Sequence, residues 1–143
     1  MSEELIQKLI GREVEAPPFK VEAQHMIDYA ESVGVFNPKY KEIAFPAYVA
    51  TLVLPALWHW RQKVPEYNDL VKDPRFIVHG GQAYDFTDVE IKPGDVLSSK
   101  TRMDEIYVKK NMLFLIYKIT TTNQNNELVV TTTNTIIVRP GGF

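Results

Sequence analysis

Residues 43–60 read IAFPAYVATLVLPALWHW, a run with no charged side chain, two prolines and one histidine. Its length barely suffices to cross the apolar layer of a bilayer. A helix buried on all sides inside a folded domain explains the run better. The sequence therefore predicts a helix over 47–60, kinked at Pro55, where the ring removes a backbone donor and clashes with the preceding turn. The rest of the chain must supply what wraps such a helix.

On the N-terminal side, Leu5, Ile6, Leu9 and Ile10 recur at helical spacing and stop at Gly11, the pattern of a short helix with a glycine cap. After Pro17-Pro18 the signal returns over 21–33, with Val21, Met26, Tyr29, Ala30 and Val33 on one face and Gly34 closing it. Residues 35–46, VFNPKYKEIAFP, are a loop punctuated by Asn37-Pro38 and Pro46.

From Phe76 onward the period becomes two. FIVHGGQAYDFTDVEI, DVLSSKTRMDEIYVKK, MLFLIYKITTTNQ and ELVVTTTNTIIVR are rich in β-branched and aromatic residues, and Lys92-Pro93-Gly94-Asp95, Lys110-Asn111 and residues 123–126 separate them. These are four long antiparallel strands. Helices followed by strands indicate an α+β fold, here a curled antiparallel sheet wrapped around a long central apolar helix, which describes the hot-dog fold. At 143 residues the chain fits one domain over 1–143 and is too short for two.

Composition narrows the function. The formal net charge is −2, with Lys and Arg spread along the chain, so no basic footprint for nucleic acid is present. Cysteine is absent, which excludes disulfides, thiolate nucleophiles and sulfur-ligated metals and fits a reducing compartment. The opening MSEELIQKLIGREVE mixes acidic residues into its apolar positions, unlike a signal or transit peptide. A cytoplasmic protein without membrane attachment is expected.

Chemistry-bearing motifs are sparse. Neither a phosphate-cradling glycine loop nor a Gly-x-Ser-x-Gly elbow occurs. His25, His59 and His79 lie far apart, with no carboxylate at metal-ligand spacing, so neither a metal site nor a cofactor is expected. His25 is placed on the exposed side of its helix and His59, between Trp58 and Trp60, among packed or interfacial side chains. His79 opens a strand at the Gly80-Gly81 step, where a structural role outweighs a chemical one.

The most specific segment is Val35-Phe36-Asn37-Pro38-Lys39-Tyr40. It resembles the Asp-x-Asn-Pro-x-His motif of the MaoC-like (R)-specific enoyl-CoA hydratases and dehydratases. IAFPAYVATL resembles the start of the central helix in that family's N-terminal-type members, VHGGQAYDF their His-Gly-x-Gln strand, IKPGDVL their Pro-Gly-Asp turn and TIIVRP their closing strand. The resemblance runs from about Gly11 to Arg139, five motifs in the right order.

The departures matter for function. The resemblance implies an Asp and a His that activate water for addition across an α,β-double bond, or run the reverse elimination; this sequence has Val35 and Tyr40 there. Valine moves no proton, and a phenol with an ordinary pKa of about 10 is a poor base at neutral pH. The resemblance also implies a backbone N–H at the helix start to hold the thioester oxygen. Pro46 has none, so Ala47 or Tyr48 would supply it.

No catalytic residue is assigned. Asn37, Pro38, Tyr40, Pro46, Ala47, Tyr48, His79 and Gly80 are the expected substrate-binding set. The resemblance implies a non-catalytic subunit that shapes the acyl tunnel and pairs with a catalytic MaoC-like chain around an acyl-CoA or acyl-carrier-protein thioester. The alternatives are a homomeric hydratase or thioesterase with a shifted site, using Tyr40, His79, Asp85 or Asp28, and an acyl-CoA-binding protein without chemistry. A dimer, with like or unlike chains, is expected because pairing two such sheets removes exposed strand edges.

Overall fold

The computed structural model describes residues 2–143. Six strands form one antiparallel, unclosed sheet: β1 Glu13–Glu15, β2 Phe19–Lys20, β3 Ile77–Phe86, β4 Val96–Lys109, β5 Met112–Thr122 and β6 Leu128–Val138. Their order is β1-β4-β5-β6-β3, with β2 also paired to β4. Register shifts at Met103/Glu105, His79/Gly81 and Thr121/Thr122 interrupt the ladders, and such bulges bend and twist strands so that the sheet curls. The four helices are α1 Glu3–Leu9, α2 Ala23–Ser32, α3 Ala50–Lys63 and α4 Tyr67–Leu70.

The apolar run forms the helix that the sheet wraps. Leu52, Val53, Ala56, Leu57 and Trp60 of α3 are buried, in one core with Leu97, Met103, Leu113, Leu115, Tyr117 and Ile119 of the strands. Each such aliphatic side chain contributes about 1.5–3 kcal/mol when removed from water. By length and composition the helical stretch Pro38–Lys63 passes for a membrane span, but these side chains spend their apolar surface on the sheet of their own chain.

The boundaries differ from the pattern for local reasons. The expected helix start at Ala47 is a tighter 3-10 turn, Pro46–Val49, and α3 proper continues to Lys63. Pro55 removes one donor without ending the helix. Val21 lies before α2, because its N–H and C=O are bound to Asp95 O and Gly94 N, both at 2.8 Å. The first of the four expected strands, over 76–91, ends at Phe86. Thr87 stops it: its N–H donates to Val129 O at 3.0 Å and its hydroxyl to Leu128 O at 2.6 Å, and the same hydroxyl accepts from Val89 N at 3.2 Å. The chain then folds inward, burying Ile91. β1, β2 and α4 were not foreseen, being too short to show a period.

Candidate functional site

The Asn37-Pro38 segment is a one-turn 3-10 helix over Pro38–Lys41. Asn37 caps it, its side-chain oxygen accepting from Lys39 N at 3.1 Å while its carbonyl accepts from Tyr40 N at 3.0 Å. That is turn chemistry, complete without a ligand. Pro38 opens the turn, where its missing donor is harmless. Val35 is held at the end of α2, its N–H donating to Ala30 O at 2.8 Å, beyond Gly34 at φ +80°. Val35 and Tyr40 share a small crevice with Asn37, so the two positions of the expected proton pair are adjacent in space.

On its other side Tyr40 opens onto a cavity of about 210 Å³, walled by Phe45, Pro46, Phe86, Val89 and Ile91 with Lys39 and Glu90 at its margin. The Tyr40 ring meets Phe45 edge-on at 5.2 Å. Of the two candidate oxyanion donors, Tyr48 N–H is spent on Phe45 O at 2.8 Å, whereas Ala47 N–H makes no such bond and Phe45 caps nothing with its side chain. Ala47 is the donor that remains.

The Tyr48 side chain faces the other way. It is fully buried; its hydroxyl lies 2.8 Å from His25 Nδ1, and its ring meets Tyr29 edge-on at 5.7 Å. Burial raises its phenol pKa above the ordinary value, with a nearby Thr51 hydrogen bond acting against it and Glu22 adding to it. This contact ties α2 to the start of α3, while His25 itself lies on the exposed side of α2 as expected.

His79 lies at a second cavity, of about 270 Å³, between α3 and the β3 edge; Gly80 follows it in the strand but does not line that cavity. Gly80 sits in the β3 bulge, and a Cβ there would come within 2.7 Å of Ile137 Cδ1, so any larger residue obliges the Ile137 side chain to shift. His79 Nε2 is 3.1 Å from Asn134 Nδ2 and 3.2 Å from Gln82 Oε1; Asn134 Nδ2 also donates to Gln82 Oε1 at 3.0 Å, and Gln82 Nε2 donates to the Tyr84 hydroxyl.

The expected set is thus divided within one chain. Tyr40 and Pro46 line the first cavity, Asn37 lines the neighbouring crevice with Tyr40, His79 lines the second cavity, and Pro38, Ala47, Tyr48 and Gly80 line none of these. Asp28 bonds Gln24 on α2 at 2.8 Å and Asp85 is exposed on β3, so neither joins Tyr40 or His79. No group of three or more metal-ligating side chains occurs among the described residues. Motif reading missed Gln82, Asn134 and Arg61 of the second cavity. The inward polar position of Asn134 in the alternation TTTNTII was the available signal.

The curled sheet, the central helix and the capped Asn-Pro turn together define the MaoC-like hot-dog dehydratases and hydratases. Residues 8–132 match the family described as "FAS1-like, dehydratase domain region", and the chain belongs to that family. No curated protein sequence matches the chain. A chain in the HadBC (3R-hydroxyacyl-ACP dehydratase) complex from Mycobacterium tuberculosis is similar, with a TM-score of 0.73 at 17% identity, covering 90% of this chain and 96% of that one. The MaoC-like dehydratase from Rhodospirillum rubrum gives 0.65 at 16%, covering 96% and 98%. The R-hydratase PhaJ1 from Pseudomonas aeruginosa gives 0.63 at 20%, covering 94% and 84%. At these identities the likeness is one of fold.

Proposed function

We propose that this chain is the non-catalytic subunit of a heteromeric, cytoplasmic MaoC-like (R)-specific enoyl-CoA hydratase or 3-hydroxyacyl-thioester dehydratase. Its role is to shape the acyl-thioester tunnel and to offer the dimer interface to a catalytic chain. The observation that carries this reading is the turn itself: Val35 and Tyr40, the positions where the family resemblance implies an acid and a base, line one small crevice, on a turn capped by Asn37. Addition of water across an enoyl thioester needs one group to take a proton and another to give it near one carbon, and valine does neither.

The open edge of β3 and the uncovered Leu54 and Trp58 on α3 fit a partner sheet laid alongside. That the similar HadBC chain comes from a complex of unlike subunits supports the same assembly here. The tunnel wall on this chain would be the cavity beside Tyr40, with Ala47 N–H turned toward the thioester oxygen.

The test is purification from the native source, mass-spectrometric identification of any bound chain, and assay of both forms on crotonyl-CoA. The reading expects a second MaoC-like chain carrying Asp-x-Asn-Pro-x-His and turnover only in the complex. A lone chain that turns over well would make it a homomeric enzyme with a shifted site, and thioester binding with no second chain and no turnover would make it a binding protein.

A further inference from the structure

Gln82, Asn134 and Tyr117 stand directly opposite one another across β3, β6 and β5. Direct partners project from the same face, so these polar side chains form a row from the exposed sheet edge into the core. The second half of α3 covers the inner end. Trp60 meets Tyr117 edge-on at 5.2 Å and Tyr67 of α4 at 6.3 Å, and the Arg61 guanidinium carbon lies 5.0 Å from the Trp58 ring and 5.2 Å from the Tyr67 ring.

Four polar atoms here are buried without a hydrogen-bond partner: Arg61 Nε, the Tyr67 and Tyr117 hydroxyls, and Asn134 Oδ1. Among the described residues no carboxylate pairs with Arg61. A buried donor or acceptor without a partner is unfavourable, the more so when charged, so four in one place ask for a ligand. Burial raises both phenol pKa values, and the Arg61 charge offsets part of that rise. Three of the four are donors and one is cationic, so the complementary group is an oxygen anion. A guanidinium set over two aromatic rings offers the planar fork that matches a carboxylate. The cavity of about 270 Å³ that Arg61 lines has His79, Gln82 and Asn134 on its β3 and β6 side and Leu54, Leu57, Trp58, Ile77 and Ile136 around the rest, an apolar share that suits an aliphatic body.

We propose that the cavity between α3 and the β3 edge binds the carboxylate of a small aliphatic acid, anchored by Arg61 with the Tyr67 and Tyr117 hydroxyls behind it. The ligand is a free acid and not the thioester, but Leu54, Trp58 and the β3 edge that border this cavity are also the surface offered to a partner sheet in the proposed assembly, so in that assembly the partner closes one side of the site.

Trp58 and Trp60 are the chain's two tryptophans, and both adjoin Arg61, so intrinsic fluorescence reports occupancy. The full chain is titrated with hexanoate and with the neutral isostere hexanamide. Hexanoate is expected to give a saturable change, with hexanamide roughly tenfold weaker or worse. Arg61→Gln is expected to weaken hexanoate by at least the same factor, and Lys39→Gln, at the other cavity, to leave it unchanged. Arg61→Lys keeps the charge without the fork and is expected to fall between, which preserves the test if the Gln variant does not fold. No saturable response, equal affinity for hexanamide, or a loss in Lys39→Gln rather than Arg61→Gln overturns the proposal. So does a sedimentation result in which Arg61→Gln merely turns a dimer into monomers with no hexanoate response in either form, since that assigns Arg61 to a carboxylate of a second copy.

Discussion

The Asn37–Tyr40 turn and the Gln82–Asn134–Tyr117 row flank the two ends of α3 and solve opposite problems. The turn satisfies its backbone locally, through Asn37 and the helix it caps, and carries no proton donor–acceptor pair. The row leaves buried polar atoms unmatched, under a helix whose Trp60 is itself fully satisfied by donating to Arg12 O at 2.9 Å. Family likeness therefore persists where it concerns chain geometry, while unmet hydrogen-bonding capacity has accumulated where only long-range strand register brings residues together.

Substitutions on each side sharpen that contrast. Trp60→Ala removes a fully buried ring that touches Tyr67 and Tyr117, and is expected to cost about 3–5 kcal/mol in urea denaturation. Gly80→Ala drives a methyl against the Ile137 side chain at 2.7–2.8 Å; with the flexible end of that side chain able to yield, about 1–2 kcal/mol is expected.

At the turn, Val35→Asp with Tyr40→His restores both proton groups on the existing backbone. Low but measurable crotonyl-CoA hydration is expected, on the order of tenfold above either single change. If the folded double variant binds an enoyl-CoA analogue yet shows no gain, the Pro46 region blocks thioester polarisation; if it binds none, the turn is scaffold alone.

The smallest effect is at the row. Tyr117→Phe deletes a buried hydroxyl with no protein partner, and is expected to shift neutral-pH stability by about 1 kcal/mol or less, toward gain. The same variant answers a pH question. Burial holds the Tyr117, Tyr67, Tyr84 and Tyr48 phenols above their ordinary value. A proton held more tightly in the folded chain stabilises fully below the unfolded pKa of about 10 and is lost as pH rises through the folded pKa. Stability should therefore fall progressively above about pH 10, and less steeply in Tyr117→Phe, as thermal melts across that range would show.

The fold was legible because its carriers are local. The chargeless run of residues 43–60 and the period-two strands each announce their element, and Asn37-Pro38 announces its turn. What escaped depended on distance in sequence. Val21 reads as helix, yet its hydrogen bonds go to the Gly94-Asp95 turn. Tyr48 reads as a residue at a site entrance, yet His25, twenty-three positions away, claims its hydroxyl. Arg61 lies one residue past the expected end of the helix over 47–60 and carries no signal of its own; only the fold, which sets Asn134 beside Gln82 and Tyr117, shows that it borders a cavity.

Turnover of crotonyl-CoA by the purified chain alone decides whether this subunit is catalytic. No more than a trace rate is expected, because neither Val35 nor Tyr40 is an efficient base. Robust hydration that survives both Tyr40→Phe and His79→Ala would contradict it.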